Sequence, residues 1–311
     1  MMEEKPKVKV KRGETRASSE QNWWPYILIG IGVFFLLGNL GIIAGLLRLW
    51  PLILIVIGLM LLFGKTGSAK VKREHFSAPV NGAESARVKL NLAVGQHNVA
   101  VTQLPDILID ADLSYVGEVN FAVSGEGEKV VSLSQSPAFT VEWLNPANWF
   151  NRSEPLRWDI GLTPNVPLDL DVHGGVGEAR LDLSRLNLSH VDVNGGVGEI
   201  DLSLPAGGDY DGYLNIGVGE FNITLPSGAN SNLRIKGGVG SCKINVPPDL
   251  PLRINARMGL GDIHVPSRLT RMNGGGEGIS KSGVWETPDF ASAERRVVID
   301  FDGGVGELRV R

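Results

Sequence analysis

A glycine-rich motif recurs at a constant interval through the second half of the chain. It reads GGVGEARLDL from residue 174, GGVGEIDLSLP from 195, GVGEFNITLP from 217, GGVGSCKINVP from 237 and GLGDIHVP from 259. When the copies are aligned on the residue after the last glycine, each step is 21 residues; the aligned residues are Glu178, Glu199, Glu220, Ser241 and Asp262. A fixed period of this length is typical of stacked structural units. The repeat therefore predicts an array of similar coils.

Each repeat contains two short segments in which apolar and polar residues alternate. Ile200, Leu202 and Leu204 alternate with polar residues after the glycines, and Val191 and Val193 do so before them. Such alternation is typical of half-buried strands. Glycine permits the positive φ of a sharp bend, and a proline ends the second strand. The predicted bend glycines are Gly177, Gly198, Gly219, Gly240, Gly261 and Gly306.

Strand, glycine bend, strand and proline turn together form one coil of a β-solenoid. The sequence thus predicts an all-β, β-solenoid-like domain of about 21-residue repeats over residues 86–311, in which parallel strands stack. One inward column should contain Val193, Leu214, Ile235 and Ala256, and another Ile200, Phe221 and Ile263. An antiparallel sandwich is the alternative that the pattern leaves open.

One more close copy of the motif begins at residue 303, and three further segments resemble it less closely. Upstream copies surround Gln96 and Glu118. The final copy, GGVGELRVR from residue 303, places Glu307 45 residues after Asp262, and Glu286 lies 21 residues before Glu307. We interpret the segment around Glu286 as a degenerate repeat with three inserted residues.

A long apolar run precedes the repeats. From Tyr26 to Phe63 the only formal charge is Arg48, and 38 residues are too many for one span of about 20 residues but suffice for two. We expect a two-helix transmembrane hairpin over 23–64 rather than a cleaved signal peptide. A basic tail, 1–22, would precede it and a linker, 65–85, would follow it.

Positive charge predicts the orientation of this hairpin. Lysine and arginine are frequent before the first span and after the second, whereas the intervening loop has only Arg48. Because positively charged flanks stay in the cytoplasm, both ends, and with them the β domain, are expected to be cytoplasmic. The chain would then be a multi-pass protein of the cell membrane, with the lipid bilayer as one partner.

Charge and cysteine content exclude some classes of function. Residues 1–73 contain 11 Lys and Arg against 4 Asp and Glu, whereas residues 74–311 contain 19 against 30. An acidic β domain would repel phosphate backbones, so we expect no nucleic-acid partner. Cys242, the only cysteine, excludes an internal disulfide and a CxxC zinc site.

The apolar run and the repeats together resemble a known family. GIGVFFLLGNLGII followed by LWPLILIVIGLMLL resembles the transmembrane hairpin of LiaI/LiaF-like bacterial membrane proteins. The stretch from WDIGLTPNVPLDLDVHGGVGEARLDLSRLNL through the GVGE repeats is similar to the toast-rack β domain at the C-terminus of LiaF-type proteins. The resemblance implies a regulator of the cell-envelope stress response that restrains a membrane sensor kinase, and it implies no catalytic residues.

A search for chemistry-bearing motifs gives no catalytic, cofactor-binding or metal-binding residues. The sequence contains no GxSxG elbow, HExxH or Walker loop, and its five histidines are scattered. The aligned carboxylates Glu178, Glu199 and Glu220 should lie about 4.8 Å apart. They would be solvated, or would meet a basic partner or a cation.

An aromatic segment interrupts the repeats between residues 141 and 158. Trp149 and Phe150 belong to it, either as a binding hot spot or as the cap of an open end of the array, whereas Trp158 should lie in a core strand. The sequence as a whole predicts a non-enzymatic, membrane-anchored protein without cofactors. It would act through protein–protein contacts, with a membrane sensor kinase or another membrane protein as partner. The alternative is a structural or adhesive module with the β domain outside the cell.

Overall fold

The structure, a computed structural model, describes residues 71–136, 155–273 and 280–311. The predicted tail and hairpin lie outside these residues. Within the described ranges, no helix has both the length and the apolar character that crossing a membrane requires.

The described residues form strands that are joined by turns and short loops. In chain order these are β1 Lys72–Pro79, β2 Ser85–Asn91, β3 Val94–Val101, β4 Ile107–Tyr115, β5 Glu118–Ser124, β6 Glu128–Ser136, β7 Arg157–Leu162, β8 Leu168–His173, β9 Val176–Asp182, β10 Leu188–Asn194, β11 Val197–Ser203, β12 Tyr210–Thr224, β13 Ser231–Asn245, β14 Leu252–His264, β15 Thr270–Asn273, β16 Lys281–Glu286 and β17 Val297–Val310.

Most of these strands stack in parallel at the spacing of the repeat. Val193 lies opposite Leu214, and Leu214 opposite Ile235, in consecutive parallel pairs of β10, β12 and β13. Beyond the bend, Ile200 of β11 lies opposite Phe221 in the same way. The all-β, solenoid-like prediction is confirmed, and the antiparallel-sandwich alternative is wrong for the repeats.

The coils form two layers that meet at the glycine bends. The entry layer contains the strands before the bend, in the order β5, β6, β2, β8, β10, β12, β13, β17, β14, β16 and β15. The exit layer contains β1, β4, β7, β3, β9, β11 and the second halves of β12, β13, β17 and β14. The inward side chains of both layers form one hydrophobic core.

The last strand does not occupy the last place in the stack. β17 pairs in parallel with β13 on one side and with β14 on the other. Phe301 therefore separates Ile235 from Ala256 in the first predicted column, which is otherwise confirmed. A regular repeat suggests that β13 stacks directly on β14, but β17 lies between them.

Two of the weaker repeat copies are not coils. Glu286 ends β16, which runs antiparallel to β14 in the entry layer, so the degenerate-repeat interpretation is wrong. The copy around Glu118 begins β5, which runs antiparallel to β6. Both segments cover an end of the entry layer, where an antiparallel strand can follow a short turn. The copy around Gln96 is confirmed, because Gln96 lies opposite Glu178 in a parallel pair.

The predicted linker contributes a strand to the domain. β1 lies within residues 65–85 and pairs antiparallel with β4 at the outer edge of the exit layer. Most of its residues are exposed, so its sequence lacks the apolar alternation that marks the other strands. Trp158 lies in the core, as predicted, at 1% exposure in β7.

Candidate interaction surface

The bends form one edge of the stack, and their geometry depends on glycine. The six predicted bend glycines have φ values of +138° (Gly177), +142° (Gly198), +140° (Gly219), +140° (Gly240), +138° (Gly261) and +146° (Gly306). At Gly219 a Cβ would lie 1.9 Å from the carbonyl oxygen of Gly198 in the neighbouring coil. The coils therefore approach each other backbone to backbone at the bend, and the side chains beside the glycines are held at fixed intervals.

A column of aliphatic side chains stands on the bend edge, immediately before these six glycines and Gly95, whose φ is +144°. We call it the bend ridge; in stack order its members are Val94, Val176, Val197, Val218, Val239, Val305 and Leu260. Each is between 45% and 54% exposed. Together they are seven of the eleven large hydrophobic residues that are exposed in the described part of the chain.

The predicted acidic residues form a second column, two residues further along each coil. We call it the acidic column; in stack order it contains Gln96, Glu178, Glu199, Glu220, Ser241, Glu307 and Asp262. Glu178, Glu199 and Glu220 thus lie in register on adjacent strands, on the outer side of the exit layer. Strand spacing places neighbouring positions about 4.8 Å apart.

Part of this column is neutralised by cations of the domain itself. The Lys243 ammonium donates to Glu220 at 2.5 Å, and this hydrogen bond holds the pKa of the Glu220 carboxyl below its usual value. Lys281 does the same for Asp262, whose pKa is also lowered. Arg309 donates to Glu307 at 2.5 Å.

Glu178 and Glu199 have weaker partners. Each accepts a 3.5 Å hydrogen bond from an amide, of Gln96 and Asn222 respectively, and neither forms an ion pair within the described ranges. The Nε of the nearby Arg180 lies 3.8 Å from the Oδ2 of Asp201, so this guanidinium pairs with Asp201 and not with either glutamate. Uncompensated negative charge is therefore concentrated at these two positions, beside Val176 and Val197.

A histidine lies in the core behind the acidic column. His97 of β3 is 3% exposed and stacks edge-on against Trp158 at 5.8 Å between ring centroids. Burial lowers the pKa of His97 to about 4 from 6.5, although a hydrogen bond with the Glu178 backbone opposes the shift. His97 is thus neutral near pH 7 and acts as a packing residue.

The other two predicted site residues are aromatic. Trp149 and Phe150 lie outside the described residues. Among the residues that are described, no three His, Cys, Asp or Glu side chains are grouped so that they could hold a metal ion.

Sequence reasoning identified the acidic column but missed the bend ridge. The sequence does contain a signal for the ridge. In the coil with Ile200, Leu202 and Leu204, the inward residues after the bend have even numbers, whereas Val197 has an odd number and therefore falls in the outward phase. An apolar residue in the outward phase of every repeat indicates an exposed apolar column.

Two protein-family models match this chain. The model of the N-terminal domain of toast_rack matches residues 66–224, just over half of the chain. The chain belongs to the Toast_rack_N family. A second model, the LiaI-LiaF-like transmembrane region, matches residues 22–62 and coincides with the predicted membrane segment. The predicted resemblance is confirmed, and the toast-rack domain follows a membrane-anchoring region.

Two solved structures from bacteria are similar to part of this chain. A crystal structure of a candidate cell adhesion protein from Clostridium sporogenes has a TM-score of 0.49 and 20% identity, covering 78% of this chain and 99% of that one. A candidate adhesin from Bacteroides fragilis has a TM-score of 0.30 and 11% identity over the same shares. No curated protein matched this toast-rack chain.

Proposed function

We propose that this toast-rack protein is a non-enzymatic, membrane-anchored regulator whose β domain binds another membrane protein. The observation that carries the proposal is the bend edge, where seven stacked coils place a continuous column of exposed aliphatic side chains beside a column that contains five carboxylates. An extended surface of this kind is suited to a protein partner. The LiaI-LiaF-like membrane region supports a role in the cell-envelope stress response, with a membrane sensor kinase as the restrained partner.

The proposed partner-binding residues are Glu178, Glu199 and Glu220, together with Trp149 and Phe150. Of the three carboxylates, Glu178 and Glu199 are better placed to meet a cationic partner, because Lys243 already occupies Glu220. Rigid positioning by the stacked bends would reduce the entropy lost on binding.

A deletion strain tests the regulatory role. Transcription of envelope-stress genes is measured before and after a cell-wall antibiotic in the parent, in the deletion strain and in a strain complemented with the full chain. If the chain restrains a sensor kinase, the deletion strain should express these genes without antibiotic, and complementation should restore repression. Unchanged expression in the deletion strain would contradict the proposal.

Sidedness separates this proposal from an adhesive role. We expect the β domain to be cytoplasmic, on the basis of the basic flanks of the membrane segment. A cytoplasmic-active reporter and an exterior-active reporter, each fused after Arg311, measure this directly. Activity of the exterior reporter alone would contradict a cytoplasmic regulator and favour a surface module.

A further inference from the structure

The bend ridge is an apolar surface that nothing in the described chain covers. Its seven side chains follow one another at the strand spacing, so the ridge is about 29 Å long. Continuous exposed apolar surface on a soluble domain is typical of an interaction site.

A partner must contact this ridge through side chains. The backbone amides at the bends are already used between coils: the Val197 N–H donates to the Gly175 carbonyl at 3.0 Å, and the Val218 N–H to the Gly196 carbonyl at 3.0 Å. Addition of a partner strand, which needs free backbone donors and acceptors, is therefore excluded at this edge. An amphipathic helix needs none, because its own backbone is internally paired.

The dimensions of a helix fit the ridge. An α-helix presents an apolar residue about every 5.4 Å along one face, close to the 4.8 Å between ridge side chains. A length of about 29 Å corresponds to about 19 helical residues. A helix lying along the stack can thus contact the ridge over its full length.

Charge selects among possible occupants. Glu178 and Glu199 flank the ridge without an ion pair in the described structure, whereas Glu220, Glu307 and Asp262 are already paired with cations of the domain. A second copy of this chain would bring the same acidic column to the interface, and an anionic bilayer would bring phosphates. Both are repelled, whereas lysine or arginine beside an apolar stripe is attracted.

We propose that the bend ridge binds an amphipathic helix of the partner protein, with lysine or arginine flanking its apolar stripe. This inference rests on the proposed function and specifies the binding surface and the chemistry of its partner. The apolar stripe packs on Val176, Val197 and Val218, and the cations meet Glu178 and Glu199.

Peptide binding to the full-length chain in neutral-lipid nanodiscs tests this assignment. The probe is a labelled amphipathic helix of about 18 residues, made of leucine and lysine, and the matched peptide has glutamate in place of lysine. Fluorescence anisotropy is measured for the wild type and for two double variants: Val197→Ser with Val218→Ser, and Glu178→Gln with Glu199→Gln. Leu104→Ser, at an exposed apolar residue away from the ridge, and Glu126→Gln, in an exposed turn, are the controls.

The leucine–lysine peptide should bind the wild type and both controls alike. The double serine variant should bind it about tenfold or more weakly, with no change in charge, and the double glutamine variant should be weaker and less salt-dependent. The leucine–glutamate peptide should not bind. Equal affinity for the ridge variants and the wild type would overturn the proposal. So would ridge-dependent binding of phosphatidylglycerol vesicles or ridge-dependent self-association in sedimentation.

Complementation distinguishes this inference from the proposed function. If the deletion strain shows derepressed stress genes and the double serine variant, present at normal levels, restores repression fully, the ridge assignment fails while the regulatory role stands. If the deletion has no effect on these genes, the regulatory role fails, and the peptide experiment alone decides the chemistry of the ridge.

Discussion

Gly219 shows how strictly a single bend residue is constrained. Its φ of +140° lies in a region that residues with a side chain rarely adopt, and a Cβ would lie 1.9 Å from the Gly198 carbonyl oxygen. Gly219→Val should therefore lower the free energy of unfolding by about 1–3 kcal/mol through backbone strain alone, and the steric clash should lower it further. Thermal unfolding of the full-length chain in detergent, followed by circular dichroism, measures this.

Gly207 is a control position, at which a side chain should be tolerated. It lies in a turn, its φ is outside the positive region, and no atom lies within 4 Å of a Cβ built there. Gly207→Ala should leave the melting temperature unchanged or slightly raised, since it restricts only the unfolded chain. Identical melting of the Gly219→Val chain and the wild type would show that the bend does not require glycine.

His97 links the stability of the domain to pH. Its folded-state pKa of about 4 lies below the ordinary value of 6.5, so the unfolded state binds the proton more tightly. The contribution of neutral His97 to the free energy of unfolding is fully present above pH 6.5. It is lost as pH falls from 6.5 to 4, and the loss is at most about 3 kcal/mol. His97→Leu should remove this component, so that stability between pH 6.5 and 5 depends less on pH than in the wild type.

Urea unfolding at several pH values measures this difference. Leu104→Ser, which replaces an exposed side chain and changes no titratable group, should retain the wild-type dependence and serves as the control. Parallel pH profiles for the wild type and His97→Leu would mean that folding does not lower the pKa of His97, contrary to its burial.

At the scale of the strand, β17 is the element whose position matters most. It separates β13 from β14 and pairs with both along its length. Phe301 fills the core between them, next to the small residues Gly237 and Ala256. A chain that ends at residue 296 should therefore lose the packing of both neighbours, because each loses a ladder of hydrogen bonds and a shared core side chain.

Limited trypsin digestion of this truncated chain measures the loss. Cleavage at Lys243 in β13 and Arg253 in β14 should become rapid, whereas Arg180 in β9, several coils away, is the internal control and should stay as protected as in the full chain. Protection of Lys243 and Arg253 equal to that of the full chain would mean that β13 and β14 close directly on each other.

The fold was predictable where local pattern and repeat spacing agree. The period of 21 residues and the alternation at Ile200 and Phe221 specify parallel coils, because register in such strands follows the inward residues. The place of β17 was not predictable, since Phe301 is equally suited to pairing with Ile235 or Ala256. The acidic column followed from the alignment, but the cations of Lys243 and Lys281 did not. Lys281 pairs with Asp262 from β16, and the repeat pattern does not predict the antiparallel direction of this strand.

At the scale of the whole molecule, the repeat turns single residues into surfaces. Each coil adds one aliphatic residue to the bend ridge and one position to the acidic column, so the size of the surface depends on the number of coils. The pairing of Glu220 with Lys243 and of Asp262 with Lys281 limits the negative charge to the region around Glu178 and Glu199. The column is thus asymmetric along the stack, which can give a bound helix a direction.

Calcium titration tests whether the acidic column is a metal site instead. Calcium takes six to eight oxygen ligands, and a column with one carboxylate per coil supplies too few. Ser241 also interrupts the column, and Lys243 neutralises Glu220. Isothermal titration of the full-length chain with calcium should therefore give no heat of binding. Micromolar binding that disappears in the Glu199→Gln, Glu220→Gln double variant, but persists in Glu126→Gln, would show that these carboxylates hold a cation rather than face a cationic partner.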